Sequence, residues 1–506
     1  MKTRIAIVLV LCCLFFHEIC TTEEKLSPNN YPDWFEQTIQ PLIQMQKEEA
    51  LKPFSMITQE IDTKQQKKKK SKKKSDKNLL LLQMEGGRIA RIVGDYDISS
   101  NLFSNAIDTI KQQEMGAVVS VSKTAKKTAS VVAGESINEY SVKCFEKVMV
   151  YTQQALNYMS KNNMESAMVE VRNANQEQKN ALEKYAKALE KELEELEKEA
   201  QKGKDKINYN EIIQTNYAGL DELVGKAKDS FQNAYSFYIC GLISEAYSLR
   251  GGGSGMDLND AYISYKDALE INPENRFIQR DVIRLAKLLG MQDDLKALLQ
   301  RFPEHNSFAE SVNLNSENGH LIVLYNDGLV PRLHQIDIPI PTPGGVLTLS
   351  FPTYLKEDKK DPMFLDISIN GENKGSTDVI CDLTSLSAKS LKERLPGMIM
   401  REFLRTAVMG VAQHEISKKG GIFGSVGSLM VTAIDKEISK ADLRGYYSLP
   451  YYVHCFRTEI APGNYKVTLS PSGASVDVDV EIKPKSINII EVTRIESSLY
   501  TNLISL

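Results

Sequence analysis

"DAYISYKDALEINP", residues Asp260 to Pro273, decides how the first half of the chain is read. Ala261 and Ala268 stand two turns apart on one helix face, where a small side chain lets a neighbouring helix come close. Tyr265 lies between them and fills the gap. Pro273 carries no amide hydrogen and cannot continue a helix, so it sets the turn to the next one. This is the pattern of the second helix in a tetratricopeptide (TPR) hairpin, a unit of about 34 residues.

The same pattern recurs upstream. "GDYDISSNLFSNAI" places Gly94, Ser99, Phe103 and Ala106 at matching offsets, with Gly87 seven residues before Gly94. "ALNYMSKNNMESAMVEVRNA" supplies Ala155, Tyr158, Ala167, Val171 and Ala174. In the third copy the first helix, around Gly241, is separated from the second by "RGGGSGMD". Three degenerate copies at unequal intervals predict a TPR-like helical array over residues 78–312. Within it, "ALEKYAKALEKELEELEKEAQK" (Ala181 to Lys202) repeats Leu182, Tyr185, Leu189, Leu193, Leu196 and Ala200 at steps of three and four. Lys and Glu fill its other faces, which predicts one long amphipathic helix packed on its neighbours.

After about Asn313 the period changes to two. "HLIVLY" (His320 to Tyr325), "GGVLTLSF" (Gly344 to Phe351) and "MFLDISING" (Met363 to Gly371) read as strands, the last ending in an Asn-Gly turn. In "SVDVDVEIKP", Val476, Val478, Val480 and Ile482 point one way and Asp477, Asp479 and Glu481 the other, so a half-buried antiparallel hairpin is expected with "YKVTLS" (Tyr465 to Ser470). "INIIEV" (Ile487 to Val492) adds a third strand. A helical island of paired helices interrupts at about 385–440. The predicted class is α+β: a helical array, then a β-rich antiparallel domain over 313–506 with inserted helices.

Composition bounds the rest. The 506 residues, 42% hydrophobic and 25% charged with a net charge of −4, suit a chain of more than one domain and offer no basic excess for nucleic acid. Residues 1–20 read as a signal peptide or N-terminal anchor: Lys2 and Arg4 precede the apolar run Ile5 to Phe16, which is short for a bilayer span. Cys20 is a candidate lipidation site, although "HEIC" lacks the small residues expected before a lipidated cysteine. Residues 21–77 read as a disordered tether, because nine lysines in Lys64 to Lys77 repel one another. That run is either a solvated linker or a contact with anionic lipid near a membrane. Cys144, Cys240, Cys381 and Cys455 are far apart, so any disulfide among them would add to a core-built fold.

Four stretches in order, "VYTQQALNYMSKNNMESAMVEVRNANQEQ" (Val150 to Gln178), "DAYISYKDALEINP", "NGHLIVLYNDGLVPRLHQ" (Asn318 to Gln335) and "ADLRGYYSLPYYVHCFRTEIAPGNY" (Ala441 to Tyr465), carry a resemblance. The chain resembles a family of uncharacterised bacterial cell-envelope proteins, often lipoproteins, with TPR-like helices and a β-rich C-terminal region. The resemblance spans about Asn78 to Arg494. It implies a periplasmic or membrane-anchored location and no known enzyme activity, with some members associated with cell-wall synthesis. The poor match around Cys20 and the polylysine run depart from that pattern.

No catalytic constellation stands out. His414–Glu415 lacks the second His a zinc protease helix needs. His454 and Cys455 are adjacent on a strand and point to opposite faces. "GGIFGSVG" (Gly420 to Gly427) lacks the phosphate-loop lysine and reads as a flexible apolar loop, or else as a mobile flap or a segment touching a membrane or partner. The charged residues singled out are Glu170 and Arg172 on a repeat helix, Arg401 and Arg405 on one face of "MIMREFLRTAV", and Asp442, Arg444 and Arg457 around "YYSLPYY". They form either structural ion pairs, with Asp442 and an Arg holding the last β unit to the helices, or an anionic-ligand cleft between the two regions. The expected function is a scaffold or adaptor binding proteins through the TPR-like groove, with no cofactor, no metal and no nucleic acid. A secreted effector and an envelope enzyme are the alternatives.

Overall fold

The computed structural model describes residues 31–54, 57, 77–120, 138–201, 207–251, 256–313, 315–342, 345–418, 440–471 and 475–506. Helices come first: α1 (Tyr31–Ile43), α2 (Leu79–Val93), α3 (Tyr96–Ser120), α4 (Cys144–Ser160), α5 (Met164–Ala200), α6 (Tyr209–Asn216), α7 (Leu220–Val224), α8 (Ala234–Leu249), α9 (Met256–Ile271), α10 (Arg276–Leu288), α11 (Gln292–Arg301) and α12 (Asn306–Ser311). Helix α2 packs on α3, α4 on α5 and α8 on α9, and each hairpin leans on the next.

The opening residues explain this stacking. Ala261, Tyr265 and Ala268 are fully buried. A Cβ added to Gly241 on α8 would lie 2.6 Å from the Tyr265 ring. A Cβ on Gly87 of α2 would lie 3.0 Å from the Phe103 ring on α3. Two hairpins thus share one device, an aromatic of the second helix seated on a glycine of the first. Asparagines start the helices: Asn163, Asn233 and Asn275 accept amides of Ser166, Ser236 and both Phe277 and Ile278. Gly94 ends α2 at φ +89°, a conformation open to glycine at little cost.

Strands follow: β1 (Gly319–Asp327), β2 (His334–Thr342), β3 (Gly345–Thr353), β4 (Asp366–Ile369), β5 (Glu372–Ser376) and β6 (Asp378–Asp382). Helix α13 (Leu383–Lys418) intervenes before β7 (Tyr452–Ile460), β8 (Gly463–Ser470), β9 (Val476–Ile482), β10 (Ile487–Ile495) and β11 (Ser498–Ser505). Three sheets result: β11-β10-β1-β7-β6, β5-β4-β8-β9 and the β2-β3 ribbon. The chain is α+β. Asn370 and Gly371 both take positive φ and close the β4–β5 hairpin as their sequence demands. In β9 the exposed residues are the acids and the more buried ones the valines and Ile482.

Two features differ from the sequence reading. Within the expected tether, α1 and a second helical stretch at 47–54 pack against the body, burying Tyr31, Phe35, Leu42, Ala50 and Phe54. Tyr31, Phe35, Thr38 and Leu42 follow one another at steps of three and four, an amphipathic face that a charge-run argument overlooked; Lys64 to Asp76 lie outside the described residues. Strand β10 does not extend the β8–β9 hairpin but pairs parallel with β1. A strand's own pattern fixes which face is buried, not which neighbour it joins or in which direction. Of the inserted helix pair expected at about 385–440, the described residues hold one 36-residue helix, α13, and residues 419–439 lie outside the described set.

The helical and β regions are not separate cores. One apolar cluster joins Phe103, Leu156, Tyr238 and Val282 from the helices to Val323, Phe456, Leu469 and Ile490 from the sheets. A second joins the β2–β3 ribbon to α7 and α13 through Leu223, Phe351 and Leu391.

Gly241→Ala is expected to lower stability by about 1–2 kcal/mol, although alanine gains about 1 kcal/mol of helix propensity, because its methyl is forced into Tyr265. Urea denaturation should show part of that loss recovered in Gly241→Ala/Tyr265→Leu. Strict additivity of the two changes would mean that the pair does not meet.

Candidate functional site

The candidate site is the seam between the helices and the sheets, where three of the seven charged residues singled out in the sequence, Asp442, Arg444 and Arg457, are found. Its centre is residues 441–451, a stretch with neither helix nor strand that is nonetheless largely buried. A buried loop needs partners for its amides. Two carboxylates from the helical array supply them. Glu85 on α2 accepts the amides of Tyr447 at 2.7 Å and Ser448 at 3.0 Å, and Glu146 on α4 accepts that of Tyr446 at 3.3 Å. Tyr31 of α1 donates its hydroxyl to Glu85 at 3.4 Å, which ties the N-terminal helix to the same point. Burial, the largest influence on Glu85, raises its pKa to about 8, although its hydrogen bonds act in the other direction.

Asp442 and Arg444 form a two-pronged pair, Nε to Oδ1 at 2.8 Å and Nη2 to Oδ2 at 2.7 Å. The remaining Arg444 nitrogen, Nη1, donates to Asn78 Oδ1 and to the Asn138 carbonyl, both at 3.1 Å. Arg444 therefore fastens the loop to the start of α2 and to the approach to α4.

Arg457 on β7 reaches deeper into the array. Its Nη2 lies 2.7 Å from Glu245 Oε1 on α8, and its Nη1 lies 3.1 Å from Asp281 on α10. Arg284 closes the square, 2.8 Å from Glu245 and 2.9 Å from Asp281. Tyr265 and Tyr238 donate hydroxyls to Glu245 and Asp281 at 3.1 and 3.0 Å. All four charged groups are buried. Burial alone would raise the Glu245 pKa, but Arg284 and Arg457 beside it hold it well below the usual carboxylate range.

The other charged residues do not join this centre. Arg405 is buried and turns back on Glu402, Nε to Oε2 at 2.9 Å. Arg401 pairs with Glu192 of α5 on the surface. Glu170 is half-buried, accepts from Asn173 at 3.1 Å, and has its pKa raised by burial; Arg172 on the same helix is exposed. Cys20 lies outside the described residues, as do Gly420 to Gly427.

Beside the loop, Lys143, Glu146, Tyr354, Ser387, Arg394 and Arg444 line a small space of about 20 Å³, room for one water. Lys143 Nζ donates to Tyr140 at 2.6 Å, and burial pulls the Lys143 pKa down to about 8 with Arg394 and Arg444 adding to the effect. Arg394 also borders a wider groove of about 280 Å³ between α5 and α13, walled by Leu189, Leu193, Pro396 and Gly397 and rimmed by Glu190, Glu192, Glu393 and Arg401. Pro396 lacks an amide hydrogen and Gly397 a side chain; a Cβ on Gly397 would meet only Arg401, at 3.6 Å.

The described thiols lie apart from one another. Cys144, Cys240, Cys381 and Cys455 are all free, and burial raises each, Cys144 to about 12. His454 faces Thr377 and the Tyr325 and Phe364 rings, whereas Cys455 faces Asn275. Burial pulls His454 down to about 4. Among the described residues no group of three His, Cys, Asp or Glu side chains could hold a metal ion, and no helix is long and apolar enough to cross a membrane. No family model, curated protein or solved structure matches this chain.

Sequence reasoning missed Glu85, Glu146, Glu245 and Asp281. Glu85 and Glu245 have apolar or small neighbours in their helices, a signal of burial, whereas Glu146 and Asp281 stand beside Lys147 and Arg280, which hides it.

Arg457→Met is expected to cost about 3–5 kcal/mol, because it strands two buried carboxylates on one arginine, whereas Arg401→Ala should cost under about 1 kcal/mol. Urea denaturation compares the two. Glu85 keeps its proton in the folded chain after the unfolded chain has released it, so its contribution to stability falls as pH rises from about 4.5 to about 8. Glu85→Gln should remove that slope and cost about 1–3 kcal/mol for the Ser448 amide left without an acceptor. An unchanged pH profile in this variant would assign the slope to other groups.

Proposed function

We propose that this chain is a non-enzymatic scaffold of the bacterial cell envelope that grips an amphipathic helix of a partner protein, with its α-helical hairpins acting as a TPR-like array. The groove between α5 and α13 carries this reading. Helix α5 has 37 residues, and past Ala181 its apolar residues are largely left to α13 and to solvent, with Leu182 60% exposed. Leu189 and Leu193 then face the gap left by Pro396 and Gly397. An apolar trough with acids and arginines along its rim suits a helix with apolar anchors every three to four residues and mixed charges beside them. The buried charges at the seam support the same reading, since their partners are already supplied by the fold. The motif resemblance adds the envelope location and a role accessory to cell-wall assembly.

A photo-crosslinking amino acid at Leu182 should trap a defined protein in the producing cell, and Gly397→Leu, which fills the groove, should reduce the crosslink at least tenfold without lowering the melting temperature. Equal capture by the variant would sink the groove assignment. Fractionation with radiolabelled palmitate should find the chain in the envelope, with label lost in Cys20→Ser if Cys20 is the anchor; recovery from the medium alone would favour a secreted effector.

A further inference from the structure

A second cluster of buried charge surrounds Arg88 and Arg91 of α2. Arg91 donates to Glu491 of β10 at 2.6 Å and to Asn157 of α4 at 2.8 Å. Arg88 donates Nη1 to Gln153 at 3.1 Å, with Glu491 at 3.5 Å. The side chains of both arginines and of Glu491 are 2% exposed or less. The Arg457 square leaves one buried nitrogen, Arg457 Nε, without an acceptor; this cluster leaves more. Nε and Nη2 of Arg88, Nε of Arg91 and Nε2 of Gln153 are buried and meet no acceptor. The hydroxyl of Tyr235 is also buried without a partner, and both Tyr235 and Tyr446 lie within electrostatic reach of Arg88.

The imbalance is mainly of one sign: against these donors stands one buried acceptor without a partner, Asn326 Oδ1, whose amide nitrogen lies 3.4 Å from Glu491. Arginine and amide nitrogens can only donate, and the Tyr235 phenol can turn to donate as well. The charges agree: two guanidiniums face one carboxylate, Glu491. Glu85, one turn before Arg88, is directed at the loop amides, and its burial favours the uncharged acid. Buried donors without acceptors are rare in native proteins, and uncompensated buried charge rarer still.

We propose that the folded protein holds one small monovalent anion of the halide class against Arg88, accepting hydrogen bonds from its Nε and Nη2. The anion supplies the acceptor and the negative charge that the chain omits, where α2, α4, α8 and β10 meet. Being enclosed, it exchanges slowly and acts as a structural ion. This site is independent of the α5–α13 groove, so the partner-binding reading can fail while it stands.

Replacing gluconate by chloride at constant ionic strength should raise the melting temperature of the full chain saturably, by several degrees. Arg88→Lys should abolish that rise. Since the variant could fail to fold, crystals of the unaltered protein grown in bromide provide a second reading: an anomalous peak within about 3.5 Å of Arg88 Nε or Nη2 is expected. Equal melting temperatures in the two salts, or an ordered water with no anomalous signal beside Arg88, would overturn the proposal.

Discussion

A loop with no regular structure runs through the interior at 441–451, and its amides must find acceptors there. Most loops avoid this demand by staying at the surface. Here the helical array meets it, with Glu85 and Glu146 accepting three consecutive amides from Tyr446 to Ser448. The position of the loop therefore depends on two helices laid down some 300 residues earlier in the chain. It leads directly into β7, which lies beside the central strand β1. If the loop were misplaced, the order of the five-stranded sheet would be lost with it.

The same logic explains why the helical and β regions share a core. Arg457, Arg284, Glu245 and Asp281 are balanced two against two and hydrogen-bonded by Tyr238 and Tyr265. Such a square adds little net stability over an apolar core of the same shape, but removing one corner is expensive. It therefore favours one docking of β7 on the array over alternatives that leave a charge alone. Tyr265 takes part twice, as the ring seated on Gly241 and as the donor to Glu245. Stacking within the array and docking of the sheet are coupled through that single residue.

The functional reading follows from the division between spent and available groups. At the seam, the arginines that suggest an anion cleft in the sequence, Arg444 and Arg457, are occupied by Asp442, Glu245 and Asp281. Away from it, α5 and α13 hold a groove whose apolar walls are partly open to solvent. Long helices exposed in this way are suited to contact with another macromolecule. Cys240, Cys381 and Cys455 are buried and Cys144 partly so, and burial raises the pKa of each.

Sequence by itself determined what is local. Alternation in β9, the Asn370–Gly371 turn, the three-to-four spacing of α5 and the small-aromatic-small pattern of α9 each involve residues within a turn or two of one another, so their geometry follows from helix and strand periods. The Asp442–Arg444 pair is equally short in range. Only the tertiary structure decided the rest: that α1 belongs to the core, that β10 runs parallel to β1, that Glu85 and Glu146 receive a loop, and that Arg457 meets Glu245 across 212 residues. The physical reason is that burial of a charge and choice of a strand partner depend on what arrives from elsewhere in the chain, and no periodicity within a segment encodes that arrival.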